Sequence, residues 1–251
     1  MFQFPWALWL TSVDGVQSMA VLISDVYALT AAHNLAKLKG LAFGGHTLRS
    51  QTTSAATNIE HVWLHKSVID RGGTENCAQD ESCIDLAVIK LKNPIKNTWP
   101  ICIAEEGMPQ ALFDGTQLRT FGWGSTGPNG KSSNTLRYID FKYNDTTKIF
   151  KPPHTTLYSQ RTRIQNCGGD SGTGWTLQDR KPGKDGVRRW YLFGIHTGRN
   201  LEKKEPGCTE KENVLMRAID IRKQYFNFIC ERVPEVCAYT YYWQLEPGVN
   251  N

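Results

Sequence analysis

The chain has no run of about 18 or more apolar residues, the length a helix needs to cross a bilayer, so no membrane-spanning helix is expected. It has no internal repeat and no low-complexity linker, which excludes solenoid, fibrous and disordered classes. Charge of one sign is not concentrated: 29 Lys and Arg against 24 Asp and Glu leave +5 over 251 residues. A nucleic-acid binder gathers its basic residues on one face, and here they are scattered, so no nucleic-acid partner is expected. The apolar opening MFQFPWALWL lacks a basic leader and a small-residue cleavage site, and Pro5 and two tryptophans interrupt it. It reads as a strand entering a turn at Thr11, Ser12, Asp14 and Gly15 rather than as a signal peptide. What remains is a soluble globular composition, 40% hydrophobic and 21% charged, with enough apolar residues for a core. The 7 cysteines are an odd number, so one thiol is free or has its partner outside this chain.

Helical periodicity is also scarce. Short strands are expected at residues 6–10, 20–24, 27–30, 59–64, 86–91, 118–121, 136–143, 190–196 and 214–218. Turn signals such as Gly44-Gly45, Gly72-Gly73, Pro128-Asn129-Gly130 and Pro182-Gly183 separate them. Strands at this spacing indicate barrels or sandwiches. The last part of the chain has the one helical pattern: Ile221, Tyr225, Phe228 and Ile229 recur at three- and four-residue steps over 220–231, and Pro234 ends the run.

Three motifs carry chemistry. Leu29-Thr30-Ala31-Ala32-His33 places a histidine just after an apolar strand. Asp85-Leu86-Ala87-Val88-Ile89-Lys90-Leu91 opens a buried-looking strand with an acid. Cys167-Gly168-Gly169-Asp170-Ser171-Gly172 sets a serine in a glycine-rich turn. A serine hydroxyl is a weak nucleophile and needs a base, and the base needs an acid to fix its tautomer. Glycines around the serine let backbone N–H groups converge on a developing oxyanion.

In this order the motifs resemble the trypsin-like serine proteases of chymotrypsin fold. Further segments match in sequence order: Phe4-Pro5-Trp6, Leu22-Ile23-Ser24, Pro100-Ile101-Cys102, Gly122-Trp123-Gly124 and Gly194-Ile195-His196-Thr197-Gly198. The resemblance covers nearly the whole chain. It implies an all-β fold of two packed six-stranded antiparallel β-barrels with a C-terminal α-helix. The single peptidase domain of residues 1–251 would divide into a first barrel of about 1–103, a second of about 115–218 and the helix of about 220–231. It implies catalytic roles for His33 as general base and acid, Asp85 as its orienting partner and Ser171 as nucleophile, with the N–H groups of Gly169 and Ser171 as oxyanion hole. Catalysis of this kind needs no cofactor. His46, His61, His65, His154 and His196 fit no zinc spacing and are read as ordinary surface or core residues.

The chain departs from the family in three ways. The disulfide that brackets the histidine loop is missing, because the two positions read Ser18 and Asn34; a bridged loop of this kind is worth about 2–4 kcal/mol. The family's activating amine, which inserts beside the aspartate before the nucleophile (here Asp170), lies about a dozen residues before Pro5. Four residues at about 3.3–3.6 Å each do not reach that far, so the expectation is an N-terminally incomplete sequence; the alternatives are that Asp170 is stabilised otherwise or that the protein is zymogen-like. The specificity pocket, read by resemblance as Gln165, Thr197, Gly198, Arg199 and Asn213, has a neutral base where trypsins have aspartate. A neutral base offers no ion pair to Lys or Arg, so cleavage after those residues is not expected. Arg199 either favours an acidic or polar side chain or points to solvent.

Among the cysteines, Cys167 and Cys208 resemble the family's bridge beside the specificity pocket. Cys77 with Cys83 and Cys230 with Cys237 are plausible local pairs. Cys102 is left over; by the resemblance it would hold a propeptide or light chain, and the alternatives are a free thiol or a pairing with Cys230 or Cys237. Asn144-Asp145-Thr146 is a glycosylation sequon in an expected surface loop. The basic stretch 180–189 reads as a solvated hairpin. These features point to a secreted serine endopeptidase acting on protein or peptide substrates, with no membrane association. A non-catalytic homologue that binds without cutting is the alternative, although such proteins usually lose a triad residue.

Overall fold

The computed structural model describes residues 4–12, 17–36, 38–43, 59–77, 83–96, 98–104, 112–127, 131–144, 156–160, 165–200, 208 and 214–237. The first sheet contains β1 (Ala7–Ser12), β2 (Gln17–Leu22), β3 (Tyr27–Thr30), β4 (Leu38–Phe43), β5 (Ile59–Leu64) and β6 (Ala87–Leu91), in the order β4-β1-β2-β3-β6-β5. The second contains β7 (Cys102–Ile103), β8 (Gln117–Gly122), β9 (Arg137–Asn144), β10 (Thr156–Ser159), β11 (Gly174–Gln178), β12 (Trp190–Asn200) and β13 (Leu215–Asp220). Its order is β11-β8-β9-β10-β13-β12-β7, and β11 also pairs with β12. That extra pairing closes six strands into a barrel, with the two-residue β7 added in parallel at its side. Closure removes exposed strand edges. In the first sheet no pairing joins β4 to β5 among the described residues.

Apolar, β-branched and aromatic residues with continuous burial explain why many of these segments form strands. In β13 and β6 nearly every side chain is covered, as suits strands with a core on one face and loops or the other sheet on the opposite face. One large cluster bridges the two sheets. It joins Phe4, Trp6, Leu8, Met19 and Leu29 of the first half to Phe121, Trp123, Leu192, Ile195 and Ile219 of the second. Phe4 is its hinge point: its ring stacks on Phe121 at 5.0 Å and meets Trp6, Tyr138 and Trp190 within 6.3 Å. A second cluster around Trp175, Phe141, Phe193 and Met216 fills the closed barrel.

Short helical turns complete the chain: a 3-10 turn at Ala32–Leu35, α1 (Lys66–Asp70), α2 (Thr74–Cys77) and α3 (Ile221–Gln224). The chain does not form the expected continuous α-helix over 220–231. After α3 the chain widens into a π-helical turn at Tyr225–Cys230. Apolar steps of three and four residues do not separate the two forms, because both turn one side toward the core; Phe228 and Ile229 are buried as expected. Strands β4, β7, β10 and β11 were not anticipated.

All three anticipated disulfides are formed: Cys77–Cys83, Cys167–Cys208 and Cys230–Cys237. Cys102 is free and exposed. The 180–189 stretch is an exposed hairpin, with Gly183 donating to Val187 and Arg189 ion-paired to Asp185. Asn144 does not lie in a loop: it is the last residue of β9, in register with Tyr158, because the strand pattern continues to its end. No helix among the described residues is long and apolar enough to cross a membrane.

Candidate active site

Strand register brings the histidine and aspartate motifs together. β3 and β6 run antiparallel with Thr30 opposite Ala87, so the residues just after Thr30 and just before Ala87 emerge at the same end of the sheet. The chain turns there into the short 3-10 segment that carries His33, while Asp85 precedes β6 in a stretch anchored by Leu86 accepting from His65 N–H at 3.0 Å. The Cys77–Cys83 bridge packs behind this corner with Ala32, Val68 and Ala87.

Asp85 is 3% exposed and turns both oxygens to His33. Oδ1 accepts the His33 backbone N–H at 2.9 Å and Oδ2 lies 2.6 Å from His33 Nδ1. Burial pulls the His33 pKa down; the Asp85 charge and hydrogen bond outweigh it, against a smaller downward push from Arg217, and the net result is above the ordinary value. With a carboxylate at Nδ1, the tautomer assigned to the neutral ring has its proton there and leaves Nε2 as the acceptor.

The serine loop is pinned against the same corner from the other half of the molecule. The Ser171 carbonyl accepts from Met19 N–H at 2.8 Å and from Asn34 Nδ2 at 2.9 Å. Asn34 also donates to Thr30 Oγ1 at 3.0 Å. Thus the position that lacks the family's cysteine carries a side chain that ties the His33 turn directly to the Ser171 loop. No hydrogen bond joins Ser171 Oγ to His33 among the described residues.

Glycine is required twice in this loop. Gly172 has φ +88, and a Cβ there would collide with the Met19 carbonyl. Gly169 has φ +94, with Gly124 Cα 3.2 Å from where its Cβ would be. This backbone leaves the N–H groups of Gly169 and Ser171 without acceptors among the described residues, whereas those of Asp170, Gly172 and Thr173 are all paired. Two unspent donors flanking a serine can take up negative charge developing on an adjacent carbonyl oxygen.

Asp170 points the opposite way. Its carboxylate accepts from Gly124 N–H and Cys167 N–H, each at 2.8 Å. Burial raises its pKa to about 6, against the lowering effect of those two bonds, of Asn166 and of the Arg199 charge. It borders a cavity of about 160 Å³ lined by Gly122, Gly124, Gln165, Asn166 and Cys208 among others.

The pocket residues are partly brought together. Arg199 does not point to solvent: its Nη1 donates to Gln165 Oε1 at 2.5 Å. Thr197 is 8% exposed and lines a small space with Asp85 and Arg217, although no hydrogen bond joins Thr197 to Asp85. Gly198 lies against Arg217, whose Nε is 3.4 Å from where a Cβ would be. Asn213 lies outside the described residues. His61 is exposed, His65 caps α1 by accepting from Ser67 N–H at 3.2 Å, and His196 is buried. His46 and His154 lie outside the described residues. Asn34 and Arg217 were missed by sequence reasoning. The paired substitution of Ser18 and Asn34 was the signal available for the first; nothing local marks the second.

Two packed antiparallel β-sheets, one of them closed, with the histidine, aspartate and serine motifs meeting at their junction, define the architecture as chymotrypsin-like. The fold agrees with that of neuropsin, a serine protease expressed in the limbic system of mouse brain, at a TM-score of 0.69 and 21% identity, covering 91% of this chain and 94% of that one. The chain belongs to the trypsin family, whose model matches residues 2–219. It is 23% identical over 184 residues to coagulation factor IX of Cavia porcellus, covering 68% of this chain and 62% of the relative. It is 26% identical over 213 residues to transmembrane protease serine 11G of Mus musculus, covering 76% of this chain and 45% of the relative. The chain therefore spans about half the length of these relatives.

Proposed function

We propose that the chain is a secreted serine endopeptidase that hydrolyses peptide bonds through His33, Asp85 and Ser171. Ser171 Oγ attacks the substrate carbonyl while His33 Nε2 takes its proton, and Asp85 holds the imidazolium that forms. The oxyanion is met by the N–H groups of Gly169 and Ser171. Collapse expels the amine, protonated by His33, and leaves an ester on Ser171. A water deprotonated by His33 then releases the acid and restores the serine.

The observation that carries this reading is the pairing of a doubly hydrogen-bonded Asp85–His33 unit with two unspent N–H donors at Gly169 and Ser171. Three disulfides support an oxidising, extracellular setting. The exposed Cys102 is where a disulfide-linked propeptide or light chain would attach. The test is hydrolysis of an unbiased peptide mixture read by mass spectrometry: new termini are expected with the wild-type chain and none with Ser171→Ala. Cleavage surviving in Ser171→Ala would refute the assignment.

A further inference from the structure

Asp85 stands in the irregular stretch before β6, which begins at Ala87. A brace from the turn into α1 fixes it from both sides. Ile84 N–H donates to Ser67 Oγ at 2.9 Å, and the Leu86 carbonyl accepts from His65 N–H at 3.0 Å. The two residues flanking Asp85 are thus tied to one short stretch, 65–67. Leu86 N–H also donates to the Ile84 carbonyl at 2.8 Å, which folds the chain tightly around Asp85. The brace has its own anchor. Val68, next to Ser67, is fully buried with Ala32, Ala87 and the Cys77–Cys83 bridge.

His65 orients the Ser67 hydroxyl. Ser67 N–H donates to His65 Nδ1 at 3.2 Å, and Ser67 Oγ lies 2.9 Å from the same nitrogen. A ring nitrogen that accepts from an N–H carries no proton, so the tautomer assigned to His65 has its proton on Nε2 and the hydroxyl donates to Nδ1. The lone pairs of Ser67 Oγ are then left for Ile84 N–H. Cys83 Sγ, 3.6 Å away, is bridged to Cys77 and has no proton to offer. The His65 ring is held in turn by the end of the chain: it hydrogen-bonds the Gln224 side chain, and its edge meets the Phe228 ring at 5.1 Å. Gln224 and Phe228 are both buried. Burial keeps the His65 pKa below its ordinary value, outweighing the Asp70 charge and the Gln224 bond, and Asp70 is itself paired to Lys66. Nδ1 therefore stays an acceptor at neutral pH.

We propose that Ser67, oriented by His65, is a positioning residue of the active site: its hydroxyl holds the backbone at Ile84 so that Asp85 presents both oxygens to His33. Ser67 touches no reacting atom and acts only through Asp85. Without the hydroxyl, Ile84 N–H loses its acceptor and the segment is tied through Leu86 alone. The two bonds from Asp85 to His33, at 2.9 and 2.6 Å, both depend on where that segment lies. The kinetic consequence rests on the peptidase reading; the effect on the Asp85–His33 contact does not.

The experiment reads that contact without requiring the chain to cut. His33 is titrated through the NMR shift of its Cε1–H, assigned by the loss of that signal in His33→Ala. Asp85 holds the His33 pKa above its ordinary value against burial and the Arg217 charge, so displacing Asp85 in Ser67→Ala should move the titration down. Ser67→Thr keeps the hydroxyl and should restore the wild-type titration. Lys66→Ala, exposed on the same turn, should leave it unchanged, which separates the hydroxyl from the general integrity of α1. In peptide hydrolysis, Ser67→Ala should lower kcat at least about 10-fold with KM within about twofold, because a small displacement of the orienting carboxylate misaligns the base. Thermal melting checks folding. Should Ser67→Ala not fold, His65→Phe decides instead: it keeps a ring against Phe228, removes the accepting nitrogen and should move the His33 titration in the same direction. An unchanged titration in the folded variant, a Ser67→Thr protein that behaves as Ser67→Ala, an equal shift in Lys66→Ala, or an unchanged kcat in Ser67→Ala beside an active wild-type chain would each overturn the proposal. A downward shift in Ser67→Ala beside a wild-type chain that hydrolyses no peptide would refute the peptidase reading and leave the brace standing.

Discussion

Replacing Asp85 by asparagine tests the geometry around His33 with almost no change in volume. The carboxylate accepts two bonds, from the His33 backbone N–H at 2.9 Å and at Nδ1 at 2.6 Å. Asparagine can keep one as an acceptor, and then its NH2 faces Nδ1. The imidazole must move its proton to Nε2, the nitrogen that has to receive the Ser171 proton, so the base is blocked. In the Ser-His-Asp template this change lowers kcat by about 10⁴-fold, equivalent to roughly 5 kcal/mol of barrier. Loss of the charge also removes what holds the His33 pKa above its ordinary value. Activity requires neutral His33, so the acid limb of kcat/KM should move to lower pH while the plateau falls. The stability linkage has the matching sign: a raised folded pKa contributes stability that is complete below about 6.5 and is lost as pH rises through the folded value. Asp85→Asn should therefore flatten that loss. The assay is a pH profile of peptide hydrolysis with urea unfolding at the same pH values. A fall in kcat of less than about 10-fold, or an acid limb moving to higher pH, would refute the account of Asp85 as the orienting partner.

Phe4→Ala removes the ring that joins the two halves of the core, which is 2% exposed and contacts four aromatic neighbours. A loss of about 3–5 kcal/mol is expected, or roughly 6–20 °C in Tm for a chain of this size; a shift under about 3 °C would contradict the packing described. Asn34→Ala cuts the link between the His33 turn and the Ser171 carbonyl, and should lower kcat more than it raises KM, with about 1 kcal/mol of stability lost. An unchanged kcat would show that Asn34 does not position the nucleophile loop. Asp170, raised to about 6 by burial from 3.8, binds its proton more tightly folded than unfolded. Stability should therefore fall as pH rises from about 4 to about 6, by about 3 kcal/mol, and the wild-type minus Asp170→Asn difference in urea unfolding should follow it. A flat or rising difference would contradict the burial argument.

Local signals carried the reading a certain distance. β3 and β5 occupy 27–30 and 59–64 as their apolar and branched residues suggest; Asp85 is hydrogen-bonded to His33 and the Ser171 loop to the neighbouring Asn34. β11 was missed because it begins at Gly174, just after the glycine-rich turn of the serine motif, with a glycine that carries no strand signal. β10 is four residues long, and β4 contains Gly40 and Lys39, so neither carries a strong pattern of its own; both are defined by the strands they join. Contacts across the fold were the least legible. Asn34 and Ser171 are 137 residues apart, and the approach of Arg217 to Gly198 depends on the register of β12 with β13. The orientation of Arg199 was open in the sequence because both a pocket and a solvent position suit an arginine; the Gln165 amide decides it.

The central claim is that Ser171 is a nucleophile activated by His33. Its most direct measurement is reaction of the wild-type chain with a fluorophosphonate probe, read by intact mass and by the modified peptide. One label at Ser171 is predicted, absent in Ser171→Ala and greatly slowed in His33→Ala. No label on the folded wild-type chain, or a label on another residue with Ser171 unmodified, would contradict it.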